Sequence, residues 1–247
     1  MTDNTLPEHF HPIGADQELI FACNPSVPCF TECCRELDLA LTPYDVLRLK
    51  HRLALTSGQF LAQYVIVEWE DAAQVFPTCY LTMVDDGRAS CVFVTEQGCS
   101  VYGDRPGSCR AYPVGRGASG GDSGAPVESL VLVREPHCLG FAGGCRQTVR
   151  AYLLGQGLEE YNRANDALLP LVQHPSIRNR TFRPTRPQLD QYMLALYDLD
   201  QFRRELTGDR IALHRPLSPA QLAGVAGDDE QLLLLGIRWL RQEWFGE

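Results

Sequence analysis

The sequence predicts an α+β protein: a cysteine-rich metal-binding core with a small antiparallel hairpin or sheet and short helices, followed by a mostly helical C-terminal region. Three observations predict this class. Eight of the ten cysteines lie in the stretch that ends at Cys109. Short strand-like runs alternate with turn residues among them, and apolar residues recur at spacings of three and four from about residue 146. We therefore expect a cysteine-cluster domain over residues 17–145 and a helical region over 146–247.

The first elements follow from proline and capping signals. Residues 17–35 carry the first cysteines on an irregular segment, because Pro25 and Pro28 disfavour helix. Thr42-Pro43-x-Asp45 is a helix start, with threonine as N-cap and proline at the first helical position. It predicts a helix over residues 43–55, and a second short helix is expected from Ser57 to about Tyr64.

A hairpin is predicted next. Val75–Val84 and Arg88–Thr95 are strand-like, and the turn residues Asp85-Asp86-Gly87 join them. Cys79 and Cys91 lie within these strands, so their pairing would bring both close to Cys99 and Cys109 at one end of the hairpin.

The second half of the chain changes character. Residues 115–126 are rich in glycine and serine and predict a flexible connection, and Leu130–Arg134 predicts one more strand. Helical periodicity then predicts helices near residues 146–173, 187–206, 218–226 and 228–245.

Composition excludes several classes of protein. With 247 residues and 45% apolar content, the chain can bury a core without needing disulfides. Met1–Asp16 lacks the basic and apolar regions of a secretory signal, and no apolar run reaches about 18 residues, so we expect a cytoplasmic protein without membrane contact. The net charge of −9 argues against general nucleic-acid binding. A protein partner is left open.

The cysteines point to metal chemistry. In a reducing compartment such a cluster of thiols indicates metal ligation, and thiolate suits zinc, copper(I) and iron–sulfur clusters. The predicted ligands are Cys23, Cys29, Cys33, Cys34, Cys79, Cys91, Cys99 and Cys109. Eight thiolates fill two four-ligand sites, or one site with thiols to spare, and the spacing leaves this division open. Because neighbouring side chains diverge, one of Cys33 and Cys34 is expected to ligate while the other faces a second site or packs.

Other candidate residues are weaker. Arg35, Arg105 and Arg110 flank the cysteines and would offset the charge of a thiolate site. Cys138 and Cys145, although near His137, are expected to be incidental or core thiols, so Cys138→Ala should change little. No Ser-His-Asp or H-E-x-x-H arrangement is present, and the sequence does not decide whether the protein is an enzyme.

A longer pattern supports the metal interpretation. Cys23-x5-Cys29-x3-Cys33-Cys34, Leu41-Thr-Pro-x-Asp45 and Gly98-Cys99-x2-Tyr102-x2-Arg105-Pro106-x2-Cys109-Arg110-x-Tyr112-Pro113 together resemble the YkgJ-type cysteine-cluster family. The resemblance covers about residues 20–115 and implies a zinc- or iron-chelating domain that uses the eight cysteines named above. The family also includes flagellin lysine-N-methylases, which use S-adenosylmethionine.

These observations rank three functions. An iron–sulfur cluster, most simply 4Fe–4S, is favoured because the eight predicted ligands include no histidine and their spacing is irregular. It would serve electron transfer, sensing or a cluster-dependent modification. The alternatives are a structural zinc-binding interaction module and an S-adenosylmethionine-dependent protein lysine methylase. In the metal-binding cases, Cys29→Ser or Cys109→Ser is expected to lose metal.

Overall fold

The structure is a computed structural model that describes residues 7–69, 75–121 and 125–247. The chain forms two compact units, each built from two chain segments. Unit 1 comprises Met1–Leu37 and Met83–Asn162, and unit 2 comprises Asp38–Thr82 and Arg163–Glu247. The sequence analysis divides the chain at residue 146, whereas each unit combines an early segment with a later one. Nine of the cysteines belong to unit 1, and Cys79 belongs to unit 2.

The described residues combine short strands with helices, as the predicted α+β class requires. The strands are β1 (Phe10–Pro12), β2 (Glu18–Ile20), β3 (Val65–Glu68), β4 (Thr78–Leu81), β5 (Met83–Val84), β6 (Ser90–Cys91), β7 (Val94–Thr95), β8 (Gly98–Cys99), β9 (Val114–Gly120), β10 (Pro126–Val133) and β11 (Arg146–Thr148). The α-helices are α1 (Pro43–Arg52), α2 (Ser57–Tyr64), α3 (Gly107–Ala111), α4 (Val149–Gly155), α5 (Glu159–Val172), α6 (Pro175–Arg178), α7 (Arg186–Leu196), α8 (Leu199–Thr207), α9 (Pro219–Gly227) and α10 (Asp229–Phe245).

Unit 1 is organised around an antiparallel sheet in the order β1–β10–β9, together with three two-stranded pairs, β11–β2, β5–β6 and β7–β8. Its core is an apolar cluster made of Leu19, Phe21, Val114, Leu130, Leu132, Val149 and Tyr152. Tyr112, Cys138 and Phe141 pack against this cluster. The core therefore holds both the chain around Phe21 and the chain that follows β10.

The prediction of a flexible connection over residues 115–126 is wrong for the described part of that stretch. Val114–Gly120 forms β9 and pairs with β10 from Gly120 opposite Pro126 to Val114 opposite Leu132. A Cβ at Gly115 would lie 2.9 Å from Val131 Cγ2, and one at Gly117 would lie 2.8 Å from Ser129 Oγ. These glycines therefore allow close cross-strand packing, which composition alone does not distinguish from a linker. Residues 122–124 lie outside the described residues.

The predicted hairpin is shorter than expected. Met83 pairs with Cys91 and Val84 with Ser90, so a hairpin does surround Asp85-Asp86-Gly87. The preceding strand breaks at Thr82, however, and β4 pairs with β3, which places Cys79 opposite Val67 in unit 2. The prediction that Cys79 and Cys91 share one hairpin is therefore wrong.

Unit 2 is mainly helical. Helix α1 begins at the predicted residue, and Thr42 and Asp45 form a reciprocal capping box. Helix α2 covers the predicted Ser57–Tyr64, and Thr56 and Gln59 form its capping box. The two long C-terminal helical predictions are each interrupted: residues 146–173 contain β11, α4 and α5, and residues 187–206 contain α7 and α8. Gly157, at φ +65°, lies in the connection from α4 to α5.

In the described part of the chain, no helix combines the length and the apolarity that crossing a membrane would require.

Candidate metal centre

Three loop segments of unit 1 supply a group of thiols. Cys23 and Cys29 lie in the turns after β2, and Cys33 lies in a short 3-10 helix, Glu32–Cys34. His137 and Cys138 lie in the turn between β10 and a second 3-10 helix, Gly140–Ala142. Proline disfavours regular structure around Cys23 and Cys29, and a turn carries His137 and Cys138. The side chains of these two loops can therefore approach one another.

These segments line one cavity. Its walls are formed by Phe21, Ala22, Cys23, Cys29, Cys33, Tyr112, His137, Cys138 and Gly140. Four of the nine residues are cysteines, and one of these four, Cys138, is a residue that the sequence analysis treats as incidental. The signal that would have found it is its partner His137, since adjacent histidine and cysteine are both metal-ligand types.

Close backbone packing brings the first and last of these segments together. The Ala22 N–H donates to the Gly140 carbonyl at 3.0 Å. A Cβ at Gly140 would lie 2.5 Å from Phe21 Cε2 and 2.7 Å from the Ala22 carbonyl oxygen. Gly144 adopts φ +126°, and a Cβ there would lie 2.6 Å from the Phe21 carbonyl oxygen. Glycine at these two positions therefore permits the approach that sets Cys138 beside Cys23.

One of the thiols accepts a hydrogen bond from a backbone amide. The N–H of Leu139, the residue after Cys138, donates to Cys29 Sγ at 3.1 Å. This contact places the positive end of the N–H dipole against the sulfur.

The thiols around the cavity act on one another electrostatically. Although Cys23 as a residue is exposed, its thiol lines the cavity, where desolvation raises its pKa to about 11 and neighbouring Cys33, Cys29 and Cys138 add to the rise. The pKa of Cys33 is raised above its ordinary value first by a hydrogen bond with the Cys34 thiol and then by burial. Without a cation the Cys23 and Cys33 thiols are protonated at neutral pH, so metal binding by them would release protons.

A second, smaller group of thiols lies in the neighbouring strand pairs. Cys91 is in β6 and Cys99 is in β8. Burial raises the pKa of Cys91, and the nearby Cys99 and Cys33 contribute to the same shift. Burial also raises the pKa of Cys99, while Arg105 opposes that rise. Cys33 is thus electrostatically linked to both groups.

The remaining cysteines have separate settings. Cys34 follows Cys33 in the first 3-10 helix, and Cys109 lies in α3. Cys145 is exposed beside β11. Cys79 is fully buried in the core of unit 2, where burial raises its pKa to about 12.

The three predicted arginines all make hydrogen bonds within unit 1. Arg105 is buried, donates to the Tyr102 carbonyl and to Gln156 Oε1 at 2.7 Å each, and lies near Cys99 and Cys23, whose pKa values it lowers in part. Arg110 donates to the Gln156 carbonyl at 2.7 Å, and Arg35 donates to the Thr31 carbonyl at 2.6 Å. Of the three, Arg105 best matches the predicted role of balancing thiolate charge.

The donor set fits a soft metal in its chemistry. Four thiols and one imidazole border the cavity, and both donor types bind zinc and iron. In residues 7–69, 75–121 and 125–247, no three Cys, His, Asp or Glu side chains are gathered closely enough to hold a metal ion as they stand. Ligation would therefore require the thiols to turn inward from the cavity wall.

Two other side chains in the wall have polar ends. His137 Nε2 lies 3.4 Å from Glu135 Oε2, an arrangement found behind metal-binding histidines. The Tyr112 hydroxyl oxygen is buried and makes no hydrogen bond of good geometry among the described residues. Burial raises the pKa of Tyr112 above its ordinary value, and the neighbouring Cys138 and Glu135 add to the rise.

Comparison with known proteins gives one match. Residues 22–138 match the CxxCxxCC family model, described as "Putative zinc- or iron-chelating domain". The match confirms the YkgJ-type resemblance drawn from the sequence. It ends at Cys138 and so contains every cysteine of the cavity wall, whereas Cys145 lies beyond it. Neither the curated proteins nor the solved structures contain a match to the chain.

Proposed function

We propose that unit 1 holds an iron–sulfur cluster through cysteine thiolates. The starting point is that residues 22–138 match the model of a zinc- or iron-chelating domain. Cys23, Cys29, Cys33 and Cys138 are the proposed ligands. The observation that carries the proposal is that these four thiols, three from residues 23–33 and one from the distant Cys138, line one cavity.

Two features of the wall support a cluster. The four thiols match the usual requirement of a cluster for four cysteine ligands. The Leu139 N–H donates to Cys29 Sγ, and hydrogen bonds to the sulfurs are one of the means by which proteins set the reduction potential of a cluster. When bound, a cluster supplies one-electron chemistry. The role of the chain is to hold the sulfurs.

Metal and acid-labile sulfide analysis with an absorption spectrum, on the full chain purified without oxygen, tests the proposal. We expect iron and sulfide in matching amounts and broad absorption near about 400 nm, as thiolate-bound clusters show. Colourless protein that contains stoichiometric zinc and no sulfide would contradict a cluster.

A matched pair of variants tests the ligand assignment. Cys138→Ser removes a thiol from the cavity wall, and Cys145→Ser removes an exposed thiol from the same segment. We expect Cys138→Ser to lose most of the bound metal and Cys145→Ser to retain it. This replaces the sequence-based expectation that Cys138 is incidental, and equal metal content in the two variants would overturn the assignment.

Zinc is the second candidate, and a specific observation favours it. His137 borders the same cavity and is backed by Glu135, so three of the thiols and this imidazole form a Cys3His donor set. Under this alternative, His137→Gln lowers zinc content, and removal of the metal by a chelator changes the near-ultraviolet circular dichroism, because binding and folding are coupled. An unchanged metal content in His137→Gln would leave the all-thiolate site.

A further inference from the structure

The Tyr112 side chain lies at the wall of the cavity, and its backbone and ring both have contacts. Its backbone N–H donates to the Ser108 carbonyl at 3.1 Å, and its carbonyl accepts a hydrogen bond from the Tyr152 hydroxyl at 2.5 Å. Its ring packs edge-on against Phe21, with centroids 6.0 Å apart. The residue is therefore held by contacts of its backbone and its ring, and none of these contacts uses its hydroxyl group.

The hydroxyl is the unusual part of this residue. Its oxygen is buried and makes no hydrogen bond of good geometry among the described residues, although the Cys138 and Glu135 side chains lie close to it. Burying a hydroxyl without a partner is unfavourable, and most buried polar atoms in folded proteins have one. Each exception calls for an explanation, and an absent ion is one of those to consider.

The surroundings of this hydroxyl indicate what its partner is. Tyr112 shares the cavity wall with Cys23, Cys29, Cys33 and Cys138. Of the neighbouring side chains, Cys138 raises the pKa of Tyr112 most, after the effect of burial. A phenol is an O–H donor at neutral pH. A neutral thiol is a weak acceptor, whereas a thiolate is an anion and accepts a short, charge-assisted hydrogen bond.

We propose that the Tyr112 hydroxyl donates a hydrogen bond to a metal-bound thiolate, most directly that of Cys138, and so strengthens metal binding by the site. The inference rests on the proposed function, because the acceptor becomes a thiolate only when a metal displaces the thiol proton. Tyr112 is a positioning residue for the metal site and is not itself a ligand.

This role predicts opposite effects in the two states of the protein. In the metal-free chain, Tyr112→Phe removes a buried oxygen that makes no hydrogen bond of good geometry, so the melting temperature should stay the same or rise. In the loaded chain the same substitution removes a hydrogen bond to an anion, so the metal should bind more weakly. A residue that only supports the fold would instead lower the stability of the metal-free chain.

The experiment is a titration of the metal-free, reduced full chain with Co²⁺, followed by competition with Zn²⁺, in which the absorption of the thiolate–cobalt bond reports ligation by sulfur. We expect Tyr112→Phe to bind the same number of ions with about tenfold lower affinity, which corresponds to about 1.4 kcal/mol. Tyr102→Phe is the matched control, because Tyr102 lies in the same segment and is exposed.

The outcomes separate this inference from the proposed function. If the wild type binds Co²⁺ through sulfur and Tyr112→Phe binds equally well, the inference is wrong and the chelating function stands. A lower melting temperature of metal-free Tyr112→Phe would also overturn it, because the hydroxyl would then have a structural partner. If the wild type shows no thiolate ligation, or if Cys138→Ser ligates as the wild type does, both proposals fail.

Discussion

At the scale of single residues, burial separates the cysteines that residue type alone makes equivalent. Cys79 is fully buried in unit 2, and its backbone carbonyl accepts a hydrogen bond from the Leu41 N–H at 2.8 Å. The other predicted ligands lie in unit 1 at intermediate or exposed positions. A fully buried thiol with a raised pKa behaves as a small apolar side chain.

We therefore predict that Cys79→Ala destabilises the protein without changing its metal content. The loss of a buried sulfur leaves a small cavity, and the free energy of unfolding should fall by about 1–2 kcal/mol. Denaturant unfolding and metal analysis of the same preparation check both parts. A variant that loses metal at unchanged stability would restore Cys79 to the ligand set.

The candidate site could be predicted from the sequence in its chemistry but only partly in its membership. Clustered thiols point to a soft metal whatever the fold, and Cys23, Cys29 and Cys33 are among the residues predicted on that ground. The place of Cys138 in the same cavity wall could not be predicted, because it is separated by more than a hundred residues from Cys33 and because the backbone contact of Ala22 with Gly140 that brings the segments together has no sequence signature.

At the scale of elements, local signals predicted where helices begin. The capping boxes at Thr42 and Thr56 depend on residues three positions apart, so they can be read from the sequence. The pairing of β9 with β10 could not be, because glycine and serine give no strand signal. Gly115 and Gly117 are explained only by their cross-strand neighbours, because a Cβ at either position would crowd the side chain of Val131 or Ser129.

Helix packing in unit 2 gives a prediction at this scale. Gly236, in the middle of α10, faces α7 so closely that a Cβ would overlap the carbonyl oxygen of Ala195. Backbone cannot move aside as a flexible side chain can. We predict that Gly236→Ala lowers the free energy of unfolding by about 1–3 kcal/mol, although alanine favours helix, and denaturant unfolding checks this.

Gly227 provides the matched control for that substitution. It is the last residue of α9, and a Cβ there would meet nothing within 4 Å. Gly227→Ala should therefore leave stability unchanged or raise it slightly, since alanine has the higher helix propensity. If both alanine variants behaved alike, close packing of α10 on α7 would not be the cause.

At the scale of the whole molecule, the fold class could be predicted from the sequence, but the assignment of chain segments to the two units could not. Composition and periodicity predict an α+β protein with a helical C-terminal region, and the structure confirms both. They do not show that Asp38–Thr82 joins the C-terminal segment in unit 2, because periodicity describes which face of an element is apolar and not which element covers it.

Long-range ion pairs are one consequence of that arrangement. Lys50, the only lysine of the chain, is buried in unit 2. Its Nζ lies 2.8 Å from Asp200 Oδ2 and 2.5 Å from Asp229 Oδ2. Arg203 also contacts both carboxylates. These charges come from three helices of unit 2, α1, α8 and α10, so their pairing depends on the assembled unit.

This network makes stability depend on pH in the acid range. Burial by itself would raise the pKa of Asp200, but hydrogen bonds from Lys50 and Ser57 outweigh it and lower that pKa to about 2. The pKa of Asp229 is also lowered: burial opposes the shift, and Lys50 and Arg203 outweigh it. A carboxyl whose pKa is lower in the folded state stabilises the fold above its unfolded pKa, and this stabilisation is lost as the pH falls through the folded pKa.

We therefore predict that the free energy of unfolding falls between about pH 4 and pH 2 as Asp200 and Asp229 become protonated. Lys50→Met should cost about 3–5 kcal/mol near pH 7, because it leaves buried carboxylates short of a cation, and should cost much less near pH 2. Denaturant unfolding of both proteins across this pH range, followed by helical circular dichroism, measures the difference. A constant gap between the two curves would mean that Lys50 stabilises unit 2 by packing, and that its charge contributes little.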